Sequence, residues 1–307
     1  MSTAFVFPGQ GSQYVGMGED LYTQYPCAHE LFDRADEIVG YKLTELCFAG
    51  PVEKLNATDV QQPAVFVASA AALASARASS KFRDFEPAFA AGLSLGEYTA
   101  YYAAGALDFE AALRLVQARA RFMQEAAQAV DSAMVALVGL DDEKALQIIE
   151  QARGGDILVA ANFNCPGQMV ISGHRSACER AAKLAEEAEA MKVLFLDVAG
   201  AFHSPLMQPA ADRLKAVLDE TDFKTPRIPV IANVDCEMHN NPDIIRENLY
   251  RQVTSATYWS KSMQKLLDLG VDEIVEIGPK RTLSGFMRRI NRRTKTVNIA
   301  SVDDLKE

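Results

Sequence analysis

The sequence predicts an α/β protein with a mostly parallel sheet and a small inserted subdomain, and two patterns support this class. Five short apolar runs alternate with helical stretches, as in a parallel sheet covered by helices on both faces: AFVFPG, EPAFAAG, IPVIANV, DEIVEIG and TVNIASV. Between the second and third runs, residues 133–198 follow the β-α-β-β-α-β order of a ferredoxin-like unit. Because ligands of such sheets bind beyond the carboxyl ends of the strands, we expect the functional site in a cleft between sheet and insert.

The insert divides the chain into three segments. They are the first part of a large subdomain at residues 1–130, the ferredoxin-like small subdomain at 131–199, and the second part of the large subdomain at 200–307. In the first segment, the stretch 63–78 is rich in alanine and serine and too short to span a membrane, so it predicts a buried helix. In the insert, a stretch rich in Ala, Glu and Lys predicts a long helix over residues 176–191.

The composition excludes several classes of protein. The 307 residues are 49% hydrophobic and 23% charged, which is typical of a globular chain. With 31 Lys and Arg against 41 Asp and Glu, the net charge of −10 disfavours nucleic acid as a partner, because phosphate backbones bind basic surfaces. Five scattered cysteines without CxxC spacing are typical of reduced thiols. The N-terminal apolar run breaks at Pro8 and Gly9, so it predicts a strand rather than a signal peptide, and we expect a cytoplasmic protein without a membrane segment.

The strongest candidate for a nucleophile is Ser94. Residues 92–96 read GLSLG and lie between a short apolar strand and an Ala-rich helix, which is the context that the G-x-S-x-G motif requires. The flanking glycines let strand and helix approach closely around a sharp turn. The alternative is an inert serine that caps the helix.

A serine hydroxyl needs a base within hydrogen-bond reach, and His203 is the best of four candidates. His29 lies in a helical stretch, His174 begins the second helix of the insert and His239 lies in a polar turn. His203 follows the last strand of the insert, where the chain returns to the main sheet.

The loop FPGQGSQ after the first strand is a candidate for the second half of an oxyanion hole. Such holes combine the N–H of the residue after the nucleophile, here Leu95, with an N–H from a loop after another strand. The glycines of this loop also suggest a nucleotide site, but GQGSQY lacks the last glycine of G-x-G-x-x-G and no Gly-Lys-Ser/Thr follows. We therefore reject nucleotide binding.

Arg119 is the third unusual residue. The predicted helix 109–127 has an apolar stripe at steps of three and four residues, and Arg119 lies at the edge of that stripe, three residues after Val116 and four before Met123. An inward guanidinium is unfavourable unless it is paired, and its fork suits a carboxylate. It forms an internal ion pair, extends its apolar stem so that the charge reaches solvent, or binds a carboxylated substrate.

Together these motifs resemble the malonyl-CoA:acyl carrier protein transacylases, which serve fatty-acid and polyketide synthesis. The similarity runs nearly end to end. It is carried by FPGQGSQ at 7–13, GLSLGEYTA at 92–100, Arg119, NFNCPGQMVISG at 162–173, GAFHSPLM at 200–207 and EIGPKRTL at 276–283. The resemblance implies a hydrolase-like α/β core with a ferredoxin-like insert.

The resemblance also implies catalytic roles. Ser94 would be the acylated nucleophile and His203 its base, and the main-chain N–H groups of Gln10 and Leu95 would form the oxyanion hole. Gln252 matches the position whose main-chain carbonyl orients the histidine in this family, in place of an acid. The reaction would be a ping-pong transfer of malonyl from malonyl-CoA to the pantetheine thiol of an acyl carrier protein, with a CoA thioester as substrate and no metal or other cofactor.

The substrate-binding roles follow in the same way. Arg119 would bind the malonyl carboxylate, Asn162 would line the cleft, and Phe202 resembles the malonyl-selecting members, where bulk fills the space of an α-methyl branch. Leu93 departs from the family pattern GHSxGE, where a histidine is usual. We expect a monomer.

Two other functions are compatible with these residues. A serine acyl hydrolase or thioesterase would use Ser94 and His203 with Asp197 or another acid as the third member. A non-catalytic subunit that binds carrier protein would fit Leu93. Separately, residues 280–295 carry seven Lys and Arg without an acid, which indicates either a solvated helix face or a docking surface for an acidic carrier protein.

Overall fold

The computed structural model describes residues 2–83 and 85–306. The strands are β1 (Thr3–Phe7), β2 (Phe89–Gly92), β3 (Ser132–Val138), β4 (Leu158–Cys165), β5 (Gln168–His174), β6 (Lys192–Phe195), β7 (Val230–Ile231), β8 (Glu273–Ile277) and β9 (Lys295–Ile299). The helices are α1 (Glu19–Gln24), α2 (Pro26–Val39), α3 (Leu43–Ala49), α4 (Val52–Leu55), α5 (Thr58–Ala78), α6 (Leu95–Ala103), α7 (Phe109–Gln128), α8 (Asp142–Arg153), α9 (Arg175–Glu187), α10 (Gln208–Glu220), α11 (Pro242–Gln252), α12 (Trp259–Asp268) and α13 (Thr282–Ile290). Short 3-10 helices cover Pro205–Met207 and Val302–Leu305.

The main sheet has the order β7-β2-β1-β8-β9, and every neighbouring pair is parallel. Its central strand β1 is buried at every position, because helices cover both faces of the sheet. The predicted α/β class with a parallel sheet is confirmed.

The insert forms a second, antiparallel sheet with the order β4-β5-β3-β6. Helices α8 and α9 pack on it around a separate apolar core that includes Val135, Ile148 and Ile171. The predicted β-α-β-β-α-β order is confirmed, but the helix predicted over 176–191 ends at Glu187. The chain takes a left-handed conformation at Glu189, with φ of 58°, which ends the helix and leads into β6.

Helix α5 is the buried helix predicted over 63–78, but it begins five residues earlier, at Thr58. Pro63 therefore lies inside the helix, where it cannot donate to the carbonyl of Asp59. The hydroxyl of Tyr41 donates to that carbonyl at 3.4 Å. This contact gives the Asp59 carbonyl a donor in place of the one that Pro63 lacks.

Strand β7 is shorter than the run IPVIANV predicts. Only Val230 and Ile231 pair with β2, because the chain then turns and Asn233 directs its side chain to the end of β2 instead of continuing the sheet. Within residues 2–83 and 85–306, no helix is both long and apolar enough to cross a membrane.

Candidate active site

Ser94 lies on a strained turn at the carboxyl end of β2. Its φ of 52° and ψ of −105° are unfavourable for a residue with a side chain. A Cβ on Gly92 would lie 1.9 Å from the carbonyl of Gly96, and a Cβ on Gly96 would lie 2.1 Å from the carbonyl oxygen of Phe7. Only glycine fits at these two positions, so the motif is required by the close approach of strand and helix.

His203 lies against this turn. Ser94 Oγ is 2.8 Å from His203 Nε2, and His203 Nδ1 is 2.9 Å from the carbonyl oxygen of Gln252 and 3.2 Å from that of Ser255. Because carbonyl oxygens only accept, the ring proton is on Nδ1, and Nε2 is free to accept the serine proton. Asp197, the third member of the hydrolase alternative, is not the partner of Nδ1, since main-chain carbonyls occupy that side of the ring.

Burial and the nearby Arg119 guanidinium lower the pKa of His203 from 6.5 to about 4. The imidazole is therefore neutral near pH 7. In this state it can act as a general base without first losing a proton.

Arg119 points inward, as the helical pattern predicts. Its side chain is 1% exposed and donates to Gln62 Oε1 at 2.5 Å, to Ser94 Oγ at 2.9 Å and to Gln252 Oε1 at 3.1 Å. Within the described part of the chain, no carboxylate oxygen lies within 4.0 Å of the guanidinium. The predicted alternative of an internal ion pair is therefore not realised, and the cation is held by neutral groups beside the serine.

Glu97 is a buried acid whose carboxyl interacts electrostatically with Arg119. Its Oε2 accepts from the main-chain N–H of Asn233 at 3.1 Å and from Gln252 Nε2 at 2.7 Å. Burial raises the pKa of Glu97 from 4.5 to about 8, and these hydrogen bonds and Arg119 only partly oppose the rise. Near pH 7 the carboxyl is mostly protonated, so it does not neutralise Arg119.

Two backbone N–H groups flank the serine. A Cβ on Gly9 would lie 2.4 Å from the carbonyl oxygen of Leu93, so the loop that carries Gln10 touches the nucleophile turn. The N–H of Leu95 is the first of α6, where helix N–H groups have no internal partner. Within residues 2–83 and 85–306, neither the Gln10 nor the Leu95 N–H donates a hydrogen bond. Both are available to an oxyanion.

A cavity of about 380 Å³ opens above Ser94 and His203, between the main sheet and the insert. Side chains from both subdomains line it, including the predicted residues Gln10, Asn162 and Phe202, as well as Leu93 and Phe286. Arg119, Leu95 and Gln252 lie beneath the serine rather than in the cavity wall. The predicted site residues thus come together at one place, at the carboxyl end of the main sheet.

Several residues of this network are not found by sequence reasoning. Gln62 orients Arg119, and Asn233 bonds to the nucleophile turn. Gln61 lines the cavity and is 3% exposed, and its carboxamide oxygen has no partner among the described residues. Glu97 has a sequence signal because it follows GLSLG directly, but nothing local distinguishes Asn233.

No group of three or more His, Cys, Asp or Glu in the described ranges could hold a metal ion.

Comparisons with known proteins agree with this geometry. The model of one family, described as the acyl transferase domain, matches residues 4–302. The malonyl CoA-acyl carrier protein transacylase of Bacillus subtilis is 44% identical over 99% of this chain and 95% of its own length, and that of Escherichia coli (strain K12) is 43% identical over 94% and 92%.

Solved structures extend the likeness to the whole fold. The malonyl CoA-acyl carrier protein transacylase of Coxiella burnetii superposes with a TM-score of 0.96 at 38% identity, covering 99% of this chain and 96% of that one. A malonyl-transacylase solved in complex with its type II polyketide-synthase acyl-carrier protein gives a TM-score of 0.95 at 38% identity, over 99% and 98% of the two chains. Since the family match and the relatives both span nearly the whole chain, the protein belongs to the acyl transferase family.

Proposed function

We propose that the protein transfers a malonyl group from malonyl-CoA to the pantetheine thiol of an acyl carrier protein, through a malonyl ester of Ser94. The observation that carries this proposal is the Arg119 guanidinium, which lies 2.9 Å from Ser94 Oγ and has no carboxylate partner in the described residues. A buried cation beside a nucleophile selects a substrate that brings its own negative charge. The names of the relatives support malonyl as that substrate.

The first half-reaction forms the acyl-enzyme. The malonyl carboxylate binds Arg119, which places the thioester carbonyl next to Ser94. Ser94 Oγ attacks this carbon while its proton passes to His203 Nε2, and the N–H groups of Gln10 and Leu95 stabilise the oxyanion. The tetrahedral intermediate collapses, the C–S bond breaks, and the CoA thiolate takes the proton from His203 and leaves.

The second half-reaction reverses these steps with a new thiol. His203 takes the proton of the pantetheine thiol, the sulfur attacks the malonyl-serine ester, and the oxyanion forms in the same place. When the intermediate collapses, the C–O bond breaks and His203 returns the proton to Ser94 Oγ. Binding of the acceptor only after departure of CoA gives ping-pong kinetics. The carbonyl of Gln252 keeps the imidazole in the required tautomer throughout.

The wall of the cavity supports selection of a small acyl group. Phe202 lines the cavity next to His203, and we propose that its ring excludes an α-methyl branch on the acyl group. One methyl group changes binding by roughly 1–3 kcal/mol, so the preference for a carboxylate is the stronger of the two selections. Asn162 adds a polar side chain on the insert side of the cavity. Leu93 lines it where the family usually has histidine, and both nitrogens of His203 have their partners without it.

The basic surface formed by α13 and residues 291–293 supports docking of an acidic carrier protein. Lys280 donates to the carbonyl of Gly11, Arg281 pairs with Asp304 and Lys295 pairs with Glu273, so these side chains have structural roles. Arg288, Arg292 and Arg293 are exposed and form no ion pair among the residues described. Thr282 and Phe286 of the same helix line the cavity. A carrier protein held at this surface would deliver its pantetheine arm to Ser94.

The test distinguishes transfer from hydrolysis. The protein is incubated with malonyl-CoA in the presence and absence of pantetheine-loaded acyl carrier protein, and free malonate and malonyl-carrier protein are measured. We expect malonyl-carrier protein as the main product and little malonate in either case. Equal and rapid release of malonate with and without the carrier would establish the hydrolase alternative instead. A Ser94→Ala variant controls for non-enzymatic exchange.

We also propose the cofactor requirement, the cellular location and the oligomeric state. The chemistry above requires no cofactor beyond the CoA thioester. All five cysteines are free thiols in the structure, which suits the reducing cytoplasm. We expect a monomer, and size-exclusion chromatography with light scattering tests this directly.

A further inference from the structure

Asn233 forms a hydrogen-bonded bridge across the nucleophile turn. Its side-chain Oδ1 accepts from the main-chain N–H of Ser94 at 2.7 Å, and its Nδ2 donates to the carbonyl of Gly92 at 2.7 Å. Asn233 is 1% exposed and lies 139 residues from Ser94 along the chain. The Asn233 carboxamide, which follows the neighbouring strand β7, therefore bonds to both sides of the turn.

The turn needs such support because its conformation is strained. With φ of 52° and ψ of −105°, Ser94 has a backbone that residues with side chains rarely adopt. Such a conformation persists only where surrounding groups fix it. The two peptide groups that define the turn are those of Gly92 and Ser94, and Asn233 satisfies one hydrogen-bonding group of each.

The main chain of Asn233 also joins the network around the base. Its N–H donates to Glu97 Oε2, the same oxygen that accepts from Gln252 Nε2. Gln252 Nε2 donates to the Ser94 carbonyl as well, and the Gln252 carbonyl holds His203. Asn233 and Gln252 thus both bond to the turn that carries Ser94, and they share one acceptor, the carboxyl of Glu97.

We propose that Asn233 is a positioning residue, which holds the turn 92–94 in the conformation that presents Ser94 to His203 and the Leu95 N–H to the oxyanion. This inference rests on the proposed acyl transfer through Ser94. Without the carboxamide, the turn relaxes toward an unstrained backbone and moves Ser94 Oγ away from His203 Nε2. Displacement of a reacting group by about 1 Å can cost about 100-fold in rate.

The first test replaces the side chain. Asn233→Ala is compared with wild type by rapid-quench measurement of malonyl-Ser94 formation over a range of malonyl-CoA concentrations. We expect the maximal acylation rate to fall by about 100-fold while the apparent dissociation constant of malonyl-CoA changes little, because Arg119 and the cavity wall remain. Thermal unfolding shows that the variant is folded.

A matched control separates positioning from general loss of a buried asparagine. Asn248 lies on α11 and is 2% exposed, and its side chain donates to Asp235 at 3.1 Å rather than to the nucleophile turn. Asn248→Ala should lower the unfolding temperature but leave the maximal acylation rate near that of wild type. An equal fall in rate for both variants would show that buried asparagines support activity only through overall stability.

The second test restores the bridge with a proton. In Asn233→Asp, a protonated carboxyl accepts from the Ser94 N–H and donates to the Gly92 carbonyl, whereas an ionised one cannot donate. Burial and the nearby Asp235 favour the protonated form, and Arg119 opposes it. We expect the acylation rate of this variant, relative to wild type, to rise as the pH falls from about 7.5 to about 5.5, while the ratio for Asn233→Ala stays constant.

The outcomes separate the two proposals. If wild type forms no malonyl-Ser94, the proposed acyl transfer fails, whatever Asn233 does. If wild type is acylated and Asn233→Ala is acylated at the same maximal rate, the positioning role is wrong. An acylation rate for Asn233→Asp that falls relative to wild type as the pH falls from about 7.5 to about 5.5 would contradict it equally.

Discussion

Replacement of Arg119 by alanine is the perturbation whose effect the structure defines best. The guanidinium is buried beside Ser94 and donates to Gln62 and Gln252, and its Nε has no hydrogen-bond partner among the described residues, so a donor remains free for the carboxylate of the proposed substrate. Arg119→Ala removes the cation and leaves these two carboxamide oxygens without a donor. Some of the damage is therefore common to every acyl substrate, because the Ser94 and Gln252 contacts are lost for all of them.

The selectivity between malonyl-CoA and acetyl-CoA isolates the carboxylate contact. Acetyl-CoA has the same thioester but no carboxylate, so losses common to both substrates cancel in the ratio of their kcat/KM values. Hydrogen bonds to a charged group contribute about 1.5–3 kcal/mol each, and a bidentate contact forms two. The preference for malonyl should therefore fall by about 3 kcal/mol or more, which is roughly a 100-fold change in the ratio.

The assay measures transfer to pantetheine-loaded carrier protein from each CoA thioester, for wild type, Arg119→Ala and Arg114→Ala. Arg114 lies on the same helix, exposed and paired with Glu110, so its variant controls for loss of a cation from α7. We expect Arg114→Ala to keep the wild-type ratio. An unchanged malonyl to acetyl ratio in Arg119→Ala would refute the assignment of Arg119 to the substrate carboxylate, however far both rates fall.

Three further predictions concern the titrating groups and the basic surface. Protonated His203 cannot accept the serine proton, and the pKa of His203 is lowered to about 4. We therefore expect kcat/KM to stay level down to about pH 5.5 and to decline as the pH falls toward 4. A decline centred near the usual pKa of histidine would contradict the burial argument. In wild type we expect the KM for malonyl-CoA to rise above pH 8, where ionised Glu97 would neutralise Arg119. Glu97→Gln should keep the wild-type rate at pH 7 and abolish this rise. A large loss of activity at pH 7 would show that the carboxylate is required. Charge reversal at Arg288 and Arg292 should raise the KM for carrier protein and weaken its salt dependence, with the KM for malonyl-CoA as the internal control.

The local motifs predict most of the side chains that meet at Ser94. The motif GLSLG predicts a sharp turn that requires glycine at both Gly92 and Gly96. The helical periodicity around Arg119 predicts an inward side chain. Both signals lie within a few residues, so they can be read from a single sequence. The choice of His203 depended on elimination among four histidines, and the structure places it 2.8 Å from Ser94 Oγ.

The supporting network could not be predicted because its contacts are long-range. Asn233 follows β7, whose sequence has no feature that marks a functional residue. It contacts Ser94 only because β7 pairs with β2 in the folded sheet. Gln62 contacts Arg119 because α5 and α7 pack together. The apolar pattern of either helix does not predict that contact. The predicted start of α5 is wrong by five residues, because Pro63 lies inside the helix and the Asp59 carbonyl accepts from Tyr41, a contact that the local sequence does not show.

The most direct test of the central claim is to locate the acyl group. Wild type, Ser94→Ala and Arg119→Ala are mixed with malonyl-CoA without carrier protein, quenched in acid, and analysed by intact mass and peptide mapping. We predict a single malonyl group on Ser94 of wild type, none on Ser94→Ala and a slowly formed one on Arg119→Ala. A malonyl group on any other residue of wild type, or its persistence in Ser94→Ala, would contradict it.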